Sequence, residues 1–183
     1  MIDIKIYVVT PRAFILFICA QKARDMFKPL DISIKKILVP IDGSDASSNA
    51  ANYAIHIAKR EGADLIVINI KEDVRQGGAI GLQAKYGNVD LVQAFKKSMT
   101  DSARQWINPI EEAAKKNGIE IKSEILDQEG TSKSGAIINY AEKNDIDMII
   151  IGAKGMSKFE RLLIGSITNS VVTHSTCPVL VVR

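Results

Sequence analysis

The 183-residue chain is poor in the side chains that staple or metallate a protein. It has two cysteines, Cys19 and Cys177, standing 158 positions apart with no CxxC, and two histidines, His56 and His174. That scarcity excludes a disulfide framework and the ligand spacing of a zinc site. Both thiols lie among apolar neighbours and read as small buried hydrophobes. Long hydrophobic runs are missing as well. The longest, "AFILFICA" at 13–20, has eight residues, against the roughly 20 needed to span a bilayer. As a signal-peptide core it has the wrong flanks, with Asp3 where positive charge belongs and bulky Ile18 before Cys19 where cleavage needs small residues. A cytoplasmic protein with no membrane partner is expected. Glycine and proline, at 12 and 5 residues, are too few for a collagenous or low-complexity chain.

There is also little charge of one sign. The net charge of +3 conceals a split: residues 1–36 carry seven Lys/Arg against three Asp/Glu, and residues 37–183 carry seventeen against eighteen. A positive surplus confined to an N-terminal arm leaves the body without a basic face to track a phosphate backbone, so nucleic acid is not an expected partner.

What is present suits one α/β domain. Apolar residues make up 46% and charged residues 25% of the chain, and a domain of this size buries roughly 70% of its unfolded surface. From residue 36, β-branched apolar runs alternate with amphipathic stretches, the pattern of βαβ units. The strands are "KILVPI" at 36–41, "LIVINI" at 65–70, "IEIKSEIL" at 119–126, "MIII" at 148–151 and "PVLVV" at 178–182. The second and fourth are apolar almost throughout, as in a parallel sheet covered on both faces. The third alternates Ile119, Ile121, Ser123 and Ile125, which places it near an edge.

The first helix starts after Ser44, a good N-cap, and stops at Gly62, with Ala50, Ala51, Ala54, Ile55 and Ala58 facing the sheet. The second carries Val92, Phe95, Met99, Ala103, Trp106, Ile110 and Ala113 inward and ends at Gly118; Pro109 predicts a kink in it. Its aromatic and methionine positions read as core. A third helix runs about 132–143 with Ala136, Ile137, Tyr140 and Ala141 inward, and a fourth opens at Ser166 with Ile167, Val171 and Val172. Right-handed crossovers then give a five-stranded parallel doubly wound sheet in three layers, Rossmann-like or flavodoxin-like, with strand order 3-2-1-4-5. Two stretches stand outside this core. One is the arm 1–35, whose "IDIKIYVV" alternates at strand period and which contains Met26 as an alternative start. The other is 71–90, read as a long loop with three glycines in five positions, and loops of that length are usually functional or mobile.

In such sheets ligands bind beyond the carboxyl ends of the strands where the order reverses. The first strand ends in "PIDGSD", which presents Asp42, and the fourth runs into "GAKGMSKFERLLIGSITNS", with Gly152, Gly155 and Gly165 ahead of a helix N-terminus. Glycines there let backbone approach a ligand closely, and the helix end attracts anions such as phosphate. Ser166 is placed to donate a hydroxyl to that anion or to cap its own helix, and Thr168 has the same two uses. GxxxxGK[ST], GxGxxG after the first strand, GxSxG and HExxH are all absent, and "DGSDASSNA" turns into a helix too soon for a flavin phosphate loop.

The stretches "KKILVPIDGSDASSNAANYAIHIAK", "DIDMIIIGAKG" and "GSITNSVVTHSTCPVLVV" resemble the universal stress protein family over about residues 35–183. The spacing Gly152-x2-Gly155-x9-Gly165-Ser166 matches that family's ATP-binding pattern at every fixed position. The resemblance implies ATP as ligand, with Gly155, Gly165, Ser166, Ile167 and Thr168 around the phosphates. It further implies Pro40, Ile41, Asp42 and Gly152 along ribose and base, Ile70 against the adenine, Mg or Mn held mainly by phosphate oxygens, and a homodimer through the last strand, 178–183. Lys154 stands where members often carry His, and either pairs with a phosphate or is solvated. The arm 1–35 has no counterpart in the family.

The expected function is therefore an ATP-binding stress-response regulator whose nucleotide occupancy biases loop 71–90 and the homodimer. Two alternatives stay open: a slow ATPase or autophosphorylating enzyme, with Ser166 as one possible acceptor, and a dimeric interaction module that ignores nucleotide. A fast ATPase needs a placed base and a charge clamp, for which only Asp42 and Lys154 are candidates.

Overall fold

The β-branched runs pair as parallel strands in the computed structural model, which describes residues 33–72, 82, 86–128, 130–155 and 164–183. The elements are β1 (Lys36–Pro40), α1 (Asp45–Glu61), β2 (Asp64–Lys71), α2 (Val89–Lys116), β3 (Ile121–Asp127), α3 (Lys133–Lys143), β4 (Met148–Gly152), α4 (Ser166–His174) and β5 (Val179–Val182). The sheet order is β3-β2-β1-β4-β5, with β3 at an edge as its alternating pattern predicts. The arm through residue 32, with Cys19 and Met26, and most of the 71–90 stretch lie outside the described residues. Of that stretch, Lys71 belongs to β2, and Val89 and Asp90 already open α2.

Alternation along the strands builds two cores. Ile37, Val39, Leu65 and Val67 point to one face and pack with Ala50, Ala51, Ala54 and Ala58 of α1 and Ile107 of α2. Leu38, Ile66, Ile68, Ile149 and Ile151 point to the other and meet Ile137, Tyr140 and Val171 of α3 and α4. Each fully buried Leu or Ile stabilises the fold by about 1.5–3 kcal/mol. The alanine stripe of α1 brings that helix close against the sheet, and its ends are as read: Ser44 accepts from the Ser47 N–H, and Gly62 closes the helix at φ 66°. At the start of β1, the main-chain N–H groups of Lys35 and Lys36 both donate to Asp147 Oδ2, at 2.8 and 2.9 Å, which ties β1 to the foot of β4.

Two helices differ from expectation. Helix α2 stays helical through Pro109, which lies on its exposed side. Its buried residues are Ala103, Ile107, Ile110 and Ala114; Trp106 and Ala113, half-buried, pack against the same core, whereas Val92, Phe95 and Met99 lie outside it. At 28 residues the helix is about 42 Å long, while the eight residues of β2 span about 26 Å. The first turns of α2 therefore overrun the carboxyl ends of the strands. In α4, Thr168 and Val171 are buried, while Ile167, expected inward, is 39% exposed.

Candidate functional site

The sheet divides beside β1. Its pairing with β4 runs through Ile37↔Met148 and Leu38↔Ile149; past that point β1 stays paired with β2 through Pro40 and β4 with β5 through Gly152, and the two strands then feed helices of opposite layers. The crevice between them opens into a cleft of about 880 Å3, within the roughly 300–1,000 Å3 range of small-molecule sites. Pro40, Ile41, Asp42, Ile70, Gly152, Lys154, Gly155, Gly165, Ser166, Ile167 and Thr168 all line it, so the structure brings every sequence-predicted site residue into one place.

On the β1 side the exit peptide is fixed from both ends. The Ile41 N–H donates to the Ile68 carbonyl at 2.8 Å, and the Ile41 carbonyl accepts from Asn69 Nδ2, also at 2.8 Å. Asp42 follows, its Oδ1 accepting from the Ser44 N–H (3.1 Å) and the Ser44 hydroxyl (2.6 Å). The turn between them is Gly43 at φ 84°, where a Cβ would also collide with the indole of Trp106.

On the β4 side the three glycines serve three different ends. A Cβ on Gly152 would stand 2.7 Å from the Ala46 carbonyl carbon and 2.8 Å from the Ser47 nitrogen, so this glycine seats the first turn of α1 on the strand. A Cβ on Gly155 would lie 2.5 Å from Asp42 Oδ2, so this one makes room for the carboxylate. Among the described residues a Cβ on Gly165 would meet nothing closer than the Ala153 carbonyl oxygen at 3.4 Å, and its φ of −70° suits any residue; none of their atoms demands glycine there. At Gly152 and Gly155 the missing side chain thus also makes room for the protein's own atoms.

Gly165 is itself the N-cap of α4 and offers no side-chain cap, unlike Ser44, Asn88 and Ser132 at the other helices. Its own N–H is engaged with the Ala153 carbonyl (2.7 Å), and the first N–H to bond back along the helix is that of Asn169, to the Gly165 carbonyl (2.8 Å). The N–H groups of Ser166, Ile167 and Thr168 therefore form the positive end of α4 beside the cleft. Ser166 does not cap its helix. The buried Thr168 hydroxyl donates to the Gly152 carbonyl at 2.7 Å, which locks α4 to β4.

Residues that sequence reasoning missed complete the walls. Phe95 and Met99 of α2, which periodicity alone places in the core, line the cleft because that helix overhangs the strand ends, and Trp106 lines it while also packing against the core. Lys71, Glu72 and Lys133 form a charged rim. Lys71 pairs with Asp127 (3.2 Å) and Lys133 with Glu72 (2.9 Å), and the hydrogen bond and charge of Lys133 hold the Glu72 carboxyl below its usual range. Partners 61 positions apart leave no signal in sequence, but Asn69 did: it is the one polar residue inside "LIVINI".

Fold and crevice together define a flavodoxin-like α/β domain with an open site at its switch point. The family model described as "Universal stress protein family" matches residues 33–183, and the chain belongs to that family. A universal stress protein of Methanocaldococcus jannaschii is 35% identical over 149 residues, covering 81% of this chain and 82% of that one. The solved universal stress protein UspA from Lactobacillus plantarum superposes with a TM-score of 0.66 at 29% identity over 82% of this chain and 98% of its own. An Archaeoglobus fulgidus universal stress protein solved in complex with dAMP shares the fold, with a TM-score of 0.54 at 18% identity over 83% and 99% of the two chains. Among the described residues no helix is long and apolar enough to cross a membrane.

Proposed function

We propose that the cleft binds an adenine nucleotide, ATP in its full form, and that the protein acts as a nucleotide-responsive regulator. The observation that carries this is the convergence of a helix N-terminus without a side-chain cap, opened by a glycine that no other described residue requires, with an apolar slot at the same crevice. The slot, formed by Pro40, Ile41 and Ile70, suits the faces of a base, and the Asp42 carboxylate beside it suits a ribose hydroxyl. Gly152 closes the slot from β4. The N–H groups of Ser166, Ile167 and Thr168 and the backbone at Gly155 and Gly165 receive the phosphates, with Lys154 at their edge. That the Archaeoglobus fulgidus protein was solved with dAMP gives a precedent for a nucleotide on this scaffold.

A divalent ion fits this reading as a passenger on the phosphates. Among the described residues no three His, Cys, Asp or Glu side chains gather to hold one, so Mg or Mn would bind through phosphate oxygens, where it would neutralise their charge. Occupancy would act outward through the segment after β2 and through a homodimer built on the edge strand β5 and residues 178–183. Rapid hydrolysis is not part of the proposal: Asp42 Oδ1 already accepts two hydrogen bonds from Ser44, and Glu72 is paired with Lys133.

Native mass spectrometry of the purified protein tests the reading. Adenine nucleotide at about one per chain is expected after incubation with ATP and Mg. A spectrum with only bare chain at millimolar ATP contradicts it.

A further inference from the structure

Asn69 has one half of its amide committed and the other half open. β2 is an interior strand, between β3 and β1, and Asn69 near its carboxyl end is 5% exposed. Its Nδ2 donates to the Ile41 carbonyl at 2.8 Å. A carbonyl accepts only, so this bond fixes which way the amide faces. Oδ1 then has no donor among the described residues, yet no side-chain polar atom among them is both buried and unpartnered. Oδ1 is therefore reachable, and since Asn69 lines the cleft, the cleft is where it is reached. An acceptor is thus presented at the cleft on the face of the sheet that Ile41 shares, and its orientation cannot be reversed without breaking the Ile41 bond.

Resting on the nucleotide reading above, we propose that Asn69 is the specificity residue for the base: its Oδ1 accepts a hydrogen bond from the exocyclic 6-amino group of adenine and rejects purines with a 6-oxo group. A 6-oxo purine would set a second acceptor against Oδ1, so that neither oxygen gains a donor from the other. A fixed acceptor discriminates where a hydroxyl would simply rotate. The Ile41 bond couples recognition to the ribose side of the site, because the same peptide leads directly into Asp42.

The test measures ATP, inosine triphosphate and N6,N6-dimethyl-ATP by calorimetry on the full chain and on Asn69→Ala. Inosine triphosphate differs from ATP at the 6-position and the adjoining ring proton, and the dimethyl analogue keeps adenine but has no 6-amino proton to give. In the native protein both are expected to bind about tenfold or more weaker than ATP. In Asn69→Ala the ratio of ATP to inosine triphosphate affinity should fall to within about twofold, mainly by loss of ATP affinity. A residue that only braces the Ile41 peptide would weaken both nucleotides together and leave the ratio intact, which overturns the proposal. So does a native protein that binds the dimethyl analogue as tightly as ATP, a result that needs no variant and stands even if Asn69→Ala fails to fold. Absence of binding by all three nucleotides would defeat the nucleotide reading itself; ATP binding without preference at the 6-position would defeat only the role of Asn69.

Discussion

Gly152, Gly155 and Gly165 look alike in sequence and differ in what stands where their side chains would be. At Gly152 the obstacle is main chain, Ala46 and Ser47 of α1, which cannot swing aside. Gly152→Ala is expected to destabilise the fold by about 1–3 kcal/mol, the usual cost of overpacking, seen as a lower urea midpoint with an unchanged slope. At Gly155 the obstacle is the end of the Asp42 side chain, so Gly155→Ala should cost less stability and instead displace the carboxylate. The spacing of the three glycines was legible in the sequence and located the site. What Gly152 and Gly155 make room for was not, because the atoms they avoid belong to residues more than a hundred positions away. Thr168 teaches the same lesson: its hydroxyl had two plausible uses, phosphate or cap, and takes a third, the Gly152 carbonyl.

Helix α2 changes role along its length. Its later turns are core, with Ile107 fully buried, while Phe95 is 38% exposed on the cleft wall. Ile107→Ala is expected to cost about 2–5 kcal/mol in chemical denaturation. Phe95→Ala should cost under about 1 kcal/mol yet weaken nucleotide binding several-fold. Equal stability losses at the two positions would contradict this division. The 3.6-residue stripe of α2 was legible, but periodicity does not say where the sheet beneath a helix ends. Helix α3 is fastened to β3 by the Tyr140 hydroxyl, which donates to Glu124 Oε1 at 2.7 Å. Burial, and then the hydrogen bond and charge of Glu124, push the tyrosine well above its ordinary value near 10. The folded state thus holds that proton more tightly than the unfolded state, and the stability it contributes is intact below about pH 10 and lost as pH rises through the folded value. Between pH 10 and 12 the native protein should lose stability more steeply than Tyr140→Phe. Identical alkaline slopes in thermal melts would remove the tyrosine from the account.

At the scale of the molecule, strand order 3-2-1-4-5 and the crevice beside β1 were legible because βαβ alternation and right-handed crossovers leave few alternatives. The walls of the crevice were not, since α2, α3 and the β2 exit meet there only in three dimensions. Among the described residues, those lining the cleft fall between Pro40 and Thr168. Deleting residues 1–30 is therefore expected to leave ATP affinity within a few-fold of the full chain; a large loss would mean that the arm closes over the site. The central claim is that the N-terminus of α4, opened by Gly165, receives a triphosphate. Titrating ATP with Mg into the native protein and into Gly165→Val in a calorimeter tests it most directly. The account predicts saturable binding near one per chain in the native protein, and none in the variant despite a thermal melt within a few degrees of native. Equal affinity in the two proteins would contradict it.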